Sequence, residues 1–277
     1  MGFFSCLLDP GEVVVTPAPS WNNDNFAQLV GARMRRCPAG LRMPFMPTAE
    51  ALVPHLKAAR LLVLCSPYEP ANHRSRRAPR CWPRTRGGGG GRAAALRRLL
   101  IRSNDVGLRD QAPRHARGVA PEMAKYTIFC DAISKSLRPP ACGSAGGGAA
   151  GGGRLRALLT HMGAWAPGLT VATARLLRDA DAMTRYLTAF KAAVRARLDV
   201  IHEAFEGFAA EGLPVRGHIA PRAHLPERLP GVPDRLGGED AVREYLLEAA
   251  GCAVLPFSVF GDTTNRLVAL SASAPCE

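Results

Sequence analysis

Short continuous apolar runs alternate along the chain with stripes of apolar residues at helical spacing. The apolar runs predict strands at Glu12–Thr16, Arg60–Cys65 and Tyr126–Asp131, and the second has the composition of a strand that a parallel sheet buries on both faces. Between the first two, Thr48–Lys57 predicts a short amphipathic helix with Thr48 as its N-cap. Strands that alternate with helices predict an α/β fold.

The second half of the chain has a mainly helical pattern. Apolar residues recur at helical spacing from Leu169 to Ala210, which predicts a long helix or helices. A further amphipathic helix is predicted at Asp240–Ala250, with Gly251 as its C-cap. A strand is predicted to follow it, at Cys252–Pro256.

Five segments follow neither pattern. Most are rich in Arg, Pro, Gly and Ala, and they cover Arg33–Pro44, Ala71–Gly118, Leu137–Arg154, Arg216–Leu236 and Arg266–Glu277. Flexible linkers have such a composition, and so does GC-rich coding DNA translated out of frame, which is the interpretation we favour. We expect residues 71–105 and 138–153 to lack a packed core, because they bury too little apolar area to offset the chain entropy.

The charge of the chain is concentrated in one of these segments. The 277 residues carry a net charge of +13, and residues 71–118 hold 13 arginines against only Asp105 and Asp110. Clustered arginines are typical of nucleic-acid binding, but apart from Trp82 this segment lacks the interleaved aromatic residues that stack on bases. We therefore rank a basic nucleic-acid-binding protein last among the functions considered for this chain.

The cysteines and the termini bear on the compartment. Eight cysteines are scattered without a C-x-x-C pair, which favours free thiols over disulfides or a metal site. The N-terminus lacks the basic region and the apolar length of a signal peptide, and no stretch approaches the ~20 apolar residues of a membrane span. We expect a cytoplasmic protein without a bound metal.

The clearest chemical signal lies between Tyr126 and Lys135, where an apolar run is followed at once by a small polar turn. A lysine placed at the C-terminal end of a buried strand is partly desolvated, which lowers its pKa and frees the amine as a nucleophile. The chain has only four lysines among its 36 basic residues, so a lysine at this position is less easily explained as an ordinary surface residue. The alternative is a surface lysine after an edge strand.

The segment Pro121–Lys135 resembles the active-site segment of the class I/II aminotransferases. These are pyridoxal-phosphate enzymes of the aspartate aminotransferase superfamily, with fold type I. Other blocks resemble the same family in the same order: Leu7–Asn23, Ala59–Pro70, Leu155–Gly212 and Glu239–Gly261. Four ordered blocks are more specific than a single lysine.

The resemblance implies an α/β fold with part of the large domain at 1–168, and a connecting helix with part of the small domain at 169–277. It also implies that the chain starts inside the large domain, without the family's N-terminal turn that binds phosphate. The implied activity is transfer of an amino group between an amino acid and a 2-oxo acid, with pyridoxal 5′-phosphate as cofactor, in a homodimer.

The resemblance also assigns site residues. Lys135 matches the lysine that binds the cofactor covalently, and Ser134 precedes it as in many relatives. Trp21 matches the aromatic residue that stacks on the cofactor ring, although a core tryptophan at a strand end is the alternative. Asp110 matches the acid that pairs with the pyridinium nitrogen, with an exposed loop aspartate as its alternative. Arg266 is a weak match for the arginine that binds the substrate carboxylate.

Departures from the family pattern leave the activity open. Glu69 stands where the family has the Asn of Asn-Pro-Thr-Gly, and its carboxylate would repel the substrate carboxylate. The strand that should carry Asp110 is not evident in Arg102–Arg109, and a phosphate-binding arginine is not found at the family's spacing after Lys135. A non-catalytic fragment from a damaged or frameshifted gene is therefore the second alternative, and the substrate is not identified.

Overall fold

The computed structural model of the protein describes residues 2–21, 23–39, 47–65, 98–102, 126–130, 157–158, 160, 171, 174–175, 177–210, 215–216, 222–224, 239–262 and 267–269. The helices are α1 (Gly2–Leu7), α2 (Asn23–Leu29), α3 (Ala49–Leu52), α4 (Ala180–Ala210) and α5 (Glu239–Ala250), with 3₁₀ turns at Val53–Leu56 and Phe257–Phe260. The strands are β1 (Val13–Ala18), β2 (Arg33–Pro38), β3 (Ala59–Cys65), β4 (Arg98–Arg102), β5 (Thr127–Cys130), β6 (Val215–Arg216), β7 (Arg222–His224), β8 (Leu255–Pro256) and β9 (Leu267–Ala269).

The first five strands form a parallel sheet in the order β2-β1-β3-β4-β5. Strands β1 and β3 lie inside this sheet, and almost all of their residues are buried. Because successive side chains of a strand point to opposite faces, each strand feeds two apolar clusters. The predicted α/β class and the predicted strands near residues 12, 60 and 126 are thus confirmed.

Each face of the sheet has its own core. One cluster contains Val13, Val15, Leu62 and Leu64, and it is covered by Leu52 and Leu56 of the segment 49–56. The other contains Val14, Leu61, Val63 and Ile128, and it is covered by Phe3, Phe4 and Leu8 of the N-terminal segment and by Ala27 of α2. A sheet that is apolar on both faces requires cover on both, so these clusters define the two-sided core.

Helix boundaries follow the signals in the sequence. The hydroxyl of Thr48 accepts a hydrogen bond from the backbone N–H of Ala51, at 3.2 Å, as predicted for an N-cap. Helix α5 ends at Gly251, whose φ of 61° is the left-handed conformation that favours glycine. The N–H groups of Gly251 and Cys252 close this end on the carbonyls of Leu247 and Leu246, each at 3.0 Å.

Several of the segments that follow neither apolar pattern contain strands in the described part of the chain. Residues 33–38 form edge strand β2, and residues 98–102 form β4, which lies between β3 and β5. A strand therefore does precede Asp110. It lies at 98–102, a few residues before the range 102–109 in which the sequence shows no evident strand. The proposal that residues 71–105 lack packed structure fails at 98–102, while 138–153 lie outside the described residues.

The C-terminal strands form a separate antiparallel sheet in the order β6-β7-β9-β8. The predicted strand at Cys252–Pro256 begins later than expected, at Leu255, because the N–H of Cys252 still bonds to the end of α5. Each sheet draws its strands from one side of residue 168, and the domain boundary placed there stays a prediction. Within the described residues, no helix combines the length and apolarity needed to cross a membrane.

Candidate functional site

Three neighbouring parallel strands end at the same level of the sheet. Cys65 of β3 pairs with Arg102 of β4, and Arg102 pairs with Cys130 of β5, and these are the last residues of their strands. The segments that follow the three strands therefore leave the sheet together, at its C-terminal edge. Ligands of open α/β sheets bind in the crevice outside this edge.

Most of the residues assigned from the sequence follow these strand ends but lie outside the described residues. Lys135 comes five residues after the end of β5, with Ser134 just before it, and Asp110 comes eight residues after the end of β4. Arg266 directly precedes β9 and also lies outside the described residues. The structure aligns the strands that lead to Lys135 and Asp110, and the side-chain assignments stay predictions.

Trp21 lies in the described part of the chain, three residues after the end of β1. Its side chain is only partly buried, and its ring centroid lies 5.1 Å from that of Phe260, with the two planes inclined by 30°. This separation lies within the ~4.5–7 Å range typical of aromatic pairs. The indole therefore lies close to the C-terminal end of β1, and its role in stacking stays a prediction.

A buried polar cluster, which the sequence analysis missed, supports the loop that carries Trp21. The side-chain amide of Asn23 donates to the hydroxyls of Ser20, at 2.5 Å, and Thr16, at 3.3 Å, and the two hydroxyls lie 3.1 Å apart. All three residues are buried. Their mutual bonds satisfy polar groups that would otherwise be costly to bury. The feature of the sequence that could have indicated this cluster is Thr16, a single polar residue in the apolar run of β1.

The C-terminal part of the chain docks on the same loop. The backbone N–H of Ser20 donates to the carbonyl of Phe260, at 2.8 Å. Beside this contact, a Cβ placed on Gly261 would lie 2.7 Å from Nε of Arg36, and Gly261 has a φ of 85°. Arg36 is also paired with Asp24 of α2, at 3.1 Å. A 3₁₀ turn from the C-terminal part of the chain therefore contacts both the ring of Trp21 and the backbone of the residue before it.

Cys37 is the one residue of β2 whose side chain is buried. Burial raises the pKa of its thiol to about 11, because the thiolate would have to lose its hydration. Its sulfur donates toward the carbonyl of Ala51, at 3.5 Å. A thiol in this state is a core residue and not a nucleophile. Among the residues that the structure describes, no three His, Cys, Asp or Glu side chains form a group that could hold a metal ion.

The fold is similar to that of solved aminotransferases. An aspartate aminotransferase variant from Thermus thermophilus matches with a TM-score of 0.74 and 20% identity, over 98% of this chain and 71% of that one. An aromatic aminotransferase from Pyrococcus horikoshii matches with 0.78 and 17%, over 99% and 71%. An aspartate aminotransferase from Rhizobium meliloti matches with 0.80 and 19%, over 98% and 68%.

Comparisons based on sequence found no significant match. No protein-family model matches this chain, and no curated protein matches it at a significant level. The chain spans about two thirds of the length of the structures that it resembles, from 66% to 71%. At identities of 17–20% the similarity is one of fold. The resemblance that the sequence suggested is thus confirmed in the structure, and the chain has the α/β fold of the aspartate and aromatic aminotransferases.

Proposed function

We propose that the protein binds pyridoxal 5′-phosphate through Lys135 and transfers an amino group between an amino acid and a 2-oxo acid, as a homodimer. The observation that carries this proposal is the common end of β3, β4 and β5, paired at Cys65, Arg102 and Cys130. Lys135 follows one of these ends and Asp110 follows another. The segments that carry both residues therefore leave the sheet at a single edge, which supports the proposal.

The described residues fit such a cofactor in part. Trp21 presents a partly exposed indole at the same edge, three residues beyond β1, which suits stacking on a flat ring. The hydroxyls of Thr16 and Ser20 bond to each other and to Asn23, so they hold the loop and are poorly placed to bind phosphate. Phosphate binding would have to come from residues outside the described ranges.

Each proposed residue has a separate task. When bound, the cofactor supplies an electron sink that labilises a bond at the substrate carbon bearing the amino group. The amine Nζ of Lys135 would bind the cofactor and later carry a proton at that carbon. The carboxylate of Asp110 would keep the pyridinium nitrogen protonated, and the indole of Trp21 would hold the ring flat. Arg266 would be the partner of the substrate carboxylate.

We expect the rate to be low. Glu69 places a carboxylate four residues after β3, where the family has an amide. Each charge-assisted hydrogen bond that is missing around the phosphate would cost about 1.5–3 kcal/mol, and ~1.4 kcal/mol corresponds to tenfold in affinity. A protein that binds the cofactor but turns over slowly is the expected result.

Borohydride reduction in the presence of pyridoxal phosphate tests the binding residue. Mapping of the labelled peptides should place the label on Lys135, and K135R should remove it. Lys57, Lys125 and Lys191 are internal controls, because a surface reaction would label them equally. Label spread over all four lysines, or retained in K135R, would refute the assignment and with it the proposed site.

The half-reaction tests the chemistry. An amino acid is added to the protein loaded with cofactor, and the absorbance of the bound cofactor is followed. A slow, complete conversion supports aminotransferase chemistry, while a bound cofactor that never reacts supports the non-catalytic alternative. Turnover on the order of 1 per second or faster would contradict the expected low rate. Sedimentation equilibrium of the same sample tests the homodimer.

A further inference from the structure

The side chain of Phe260 supports the indole of Trp21 from the C-terminal part of the chain. Phe260 is 5% exposed and ends the 3₁₀ turn Phe257–Phe260. On its other side it packs edge-on against Phe257, with ring centroids 6.0 Å apart and planes inclined by 84°. Phe257 is itself fully buried. The indole therefore contacts a short row of rings that is anchored in the core.

The backbone next to Trp21 is tied to the same turn. The N–H of Ser20 donates to the carbonyl of Phe260, so the residue that contacts the indole also holds the loop. Trp21 follows the end of β1 and precedes α2, and no ladder of a sheet extends to it. Its orientation thus depends on side-chain and loop contacts, and Phe260 provides one of them, with ring centroids 5.1 Å apart.

A second contact places the end of this turn next to edge strand β2 of the large sheet. Arg36 of β2 lies so close over Gly261 that a Cβ there would meet its side chain at 2.7 Å. Because Gly261 has a φ of 85°, the position also favours glycine for its backbone. The end of the turn Phe257–Phe260 therefore lies next to edge strand β2 as well as next to the loop that follows β1.

We propose that Phe260 is a positioning residue for Trp21, and that it sets the affinity for pyridoxal phosphate by holding the indole at the edge of the sheet. This inference rests on the proposed function, since it assigns the indole to the cofactor ring. It links the docking of the C-terminal segment to cofactor binding. A side chain that stacks on a ligand binds it more tightly when the plane of its ring is already fixed, because ordering a mobile side chain on binding lowers the affinity.

Affinity for pyridoxal phosphate, measured by equilibrium titration of the purified chain, tests the inference. F260L keeps an apolar side chain but removes the ring, and we expect about three- to tenfold weaker binding, the size of one aromatic pair. F260Y keeps the ring and should bind within twofold of the parent. V259A is the matched control, because the neighbouring Val259 is 59% exposed. F260M replaces F260L if the latter loses its cooperative unfolding transition.

A double-mutant cycle with W21A separates positioning from general packing. If Phe260 acts through Trp21, F260L should weaken binding in the parent and have no further effect in W21A. Near-ultraviolet circular dichroism of the cofactor-free proteins should show the same change in F260L and in W21F. Equal affinity of F260L and the parent, or an undiminished effect of F260L in W21A, would overturn the positioning role while leaving the proposed function standing. Failure of the parent itself to bind would overturn both, and is recognised from the parent titration alone.

Discussion

Strands β2 and β3 are both parallel neighbours of β1, yet they have opposite compositions. β3 is Ala-Arg-Leu-Leu-Val-Leu-Cys, and six of its seven residues are buried. β2 is Arg-Met-Arg-Arg-Cys-Pro, and one of its six residues is buried. Val14 of β1 pairs with Leu61 on one side and with Met34 on the other. The same ladder is thus formed by an apolar strand inside the sheet and by an arginine-rich strand at its edge.

The difference shows how an edge strand can be built from arginines. Nε of Arg33 donates to the carbonyl of Gly11, at 2.9 Å, and Arg35 donates to the carbonyls of His55 and Lys57, at 3.0 and 2.8 Å. Arg36 is paired with Asp24. Charged side chains at an edge also hinder pairing with another chain. β2 is therefore stabilised by polar contacts to its neighbours, while β3 is stabilised by burial.

The largest effect is expected for L61A in β3. Leu61 is fully buried, and removing its side chain should lower the free energy of unfolding by about 2–5 kcal/mol, through lost transfer energy and a residual cavity. M34A is the matched control, because Met34 packs against the same cluster from the edge strand. Urea denaturation should show less than half the effect for M34A. Equal losses would mean that β2 and β3 contribute equally to the core.

The next effect concerns the pH dependence of Cys37. The pKa of this thiol is raised from 9.0 to about 11, so the folded state keeps its proton while the unfolded state loses it. Stability is unaffected below pH 9 and should fall by about 1.4 kcal/mol per pH unit as the pH rises toward 11. C37A should lack this component. Parallel stability profiles of parent and C37A between pH 9 and 11 would contradict the burial of the thiol.

A smaller effect is expected for R35A. The guanidinium closes the end of the 3₁₀ turn Val53–Leu56 through two carbonyls, and its loss should cost about 1 kcal/mol, since the contacts are partly exposed. R35K should keep part of this stability, because an ammonium cannot match the planar fork of arginine. Thermal unfolding measures both variants. A loss in R35A as large as that in L61A would show that these polar contacts contribute as much to stability as the burial of a core leucine does.

The smallest effect is expected for D24N. Asp24 and Arg36 form a pair whose side chains are 32% and 49% exposed, and such pairs contribute about 0.2–1 kcal/mol. The difference between D24N and the parent should vanish in 1 M salt, where screening acts over about 3 Å. A difference that survives high salt would indicate a packing role for Asp24.

Strand β4 extends the comparison and explains the main error of the sequence analysis. Its residues Leu99, Leu100 and Ile101 are apolar, but arginines flank them within a segment of very high arginine content. Averaged over the segment, composition favours a linker, while three apolar residues suffice for a short central strand. Residues of β6, β7 and β9 likewise occur in segments where the sequence shows neither apolar pattern. Local pairing with a neighbouring strand overrode composition in each case.

The candidate site was predictable to a different degree. Trp21 could be placed at the end of β1 from the apolar run and the family resemblance, and the structure confirms that position. The hydrogen bonds among Thr16, Ser20 and Asn23 could not be foreseen, because Ser and Asn in a loop carry no signal for burial. The contact of Phe260 with Trp21 joins residues 239 positions apart, and pattern analysis has no access to such a pair. The assigned roles of Trp21, Lys135, Asp110, Ser134 and Arg266 all stay predictions.

The sequence by itself determined the α/β class, the strands β1, β3 and β5, the N-cap at Thr48 and the C-cap at Gly251. These features depend on residues close together in the chain, whose periodicity and backbone preferences act locally. Only the tertiary structure decided that β2 and β4 are strands, that β3, β4 and β5 end level, and that a C-terminal turn supports Trp21. Each of these depends on hydrogen bonds or ring contacts between distant segments, and such contacts become favourable only once the chain has folded.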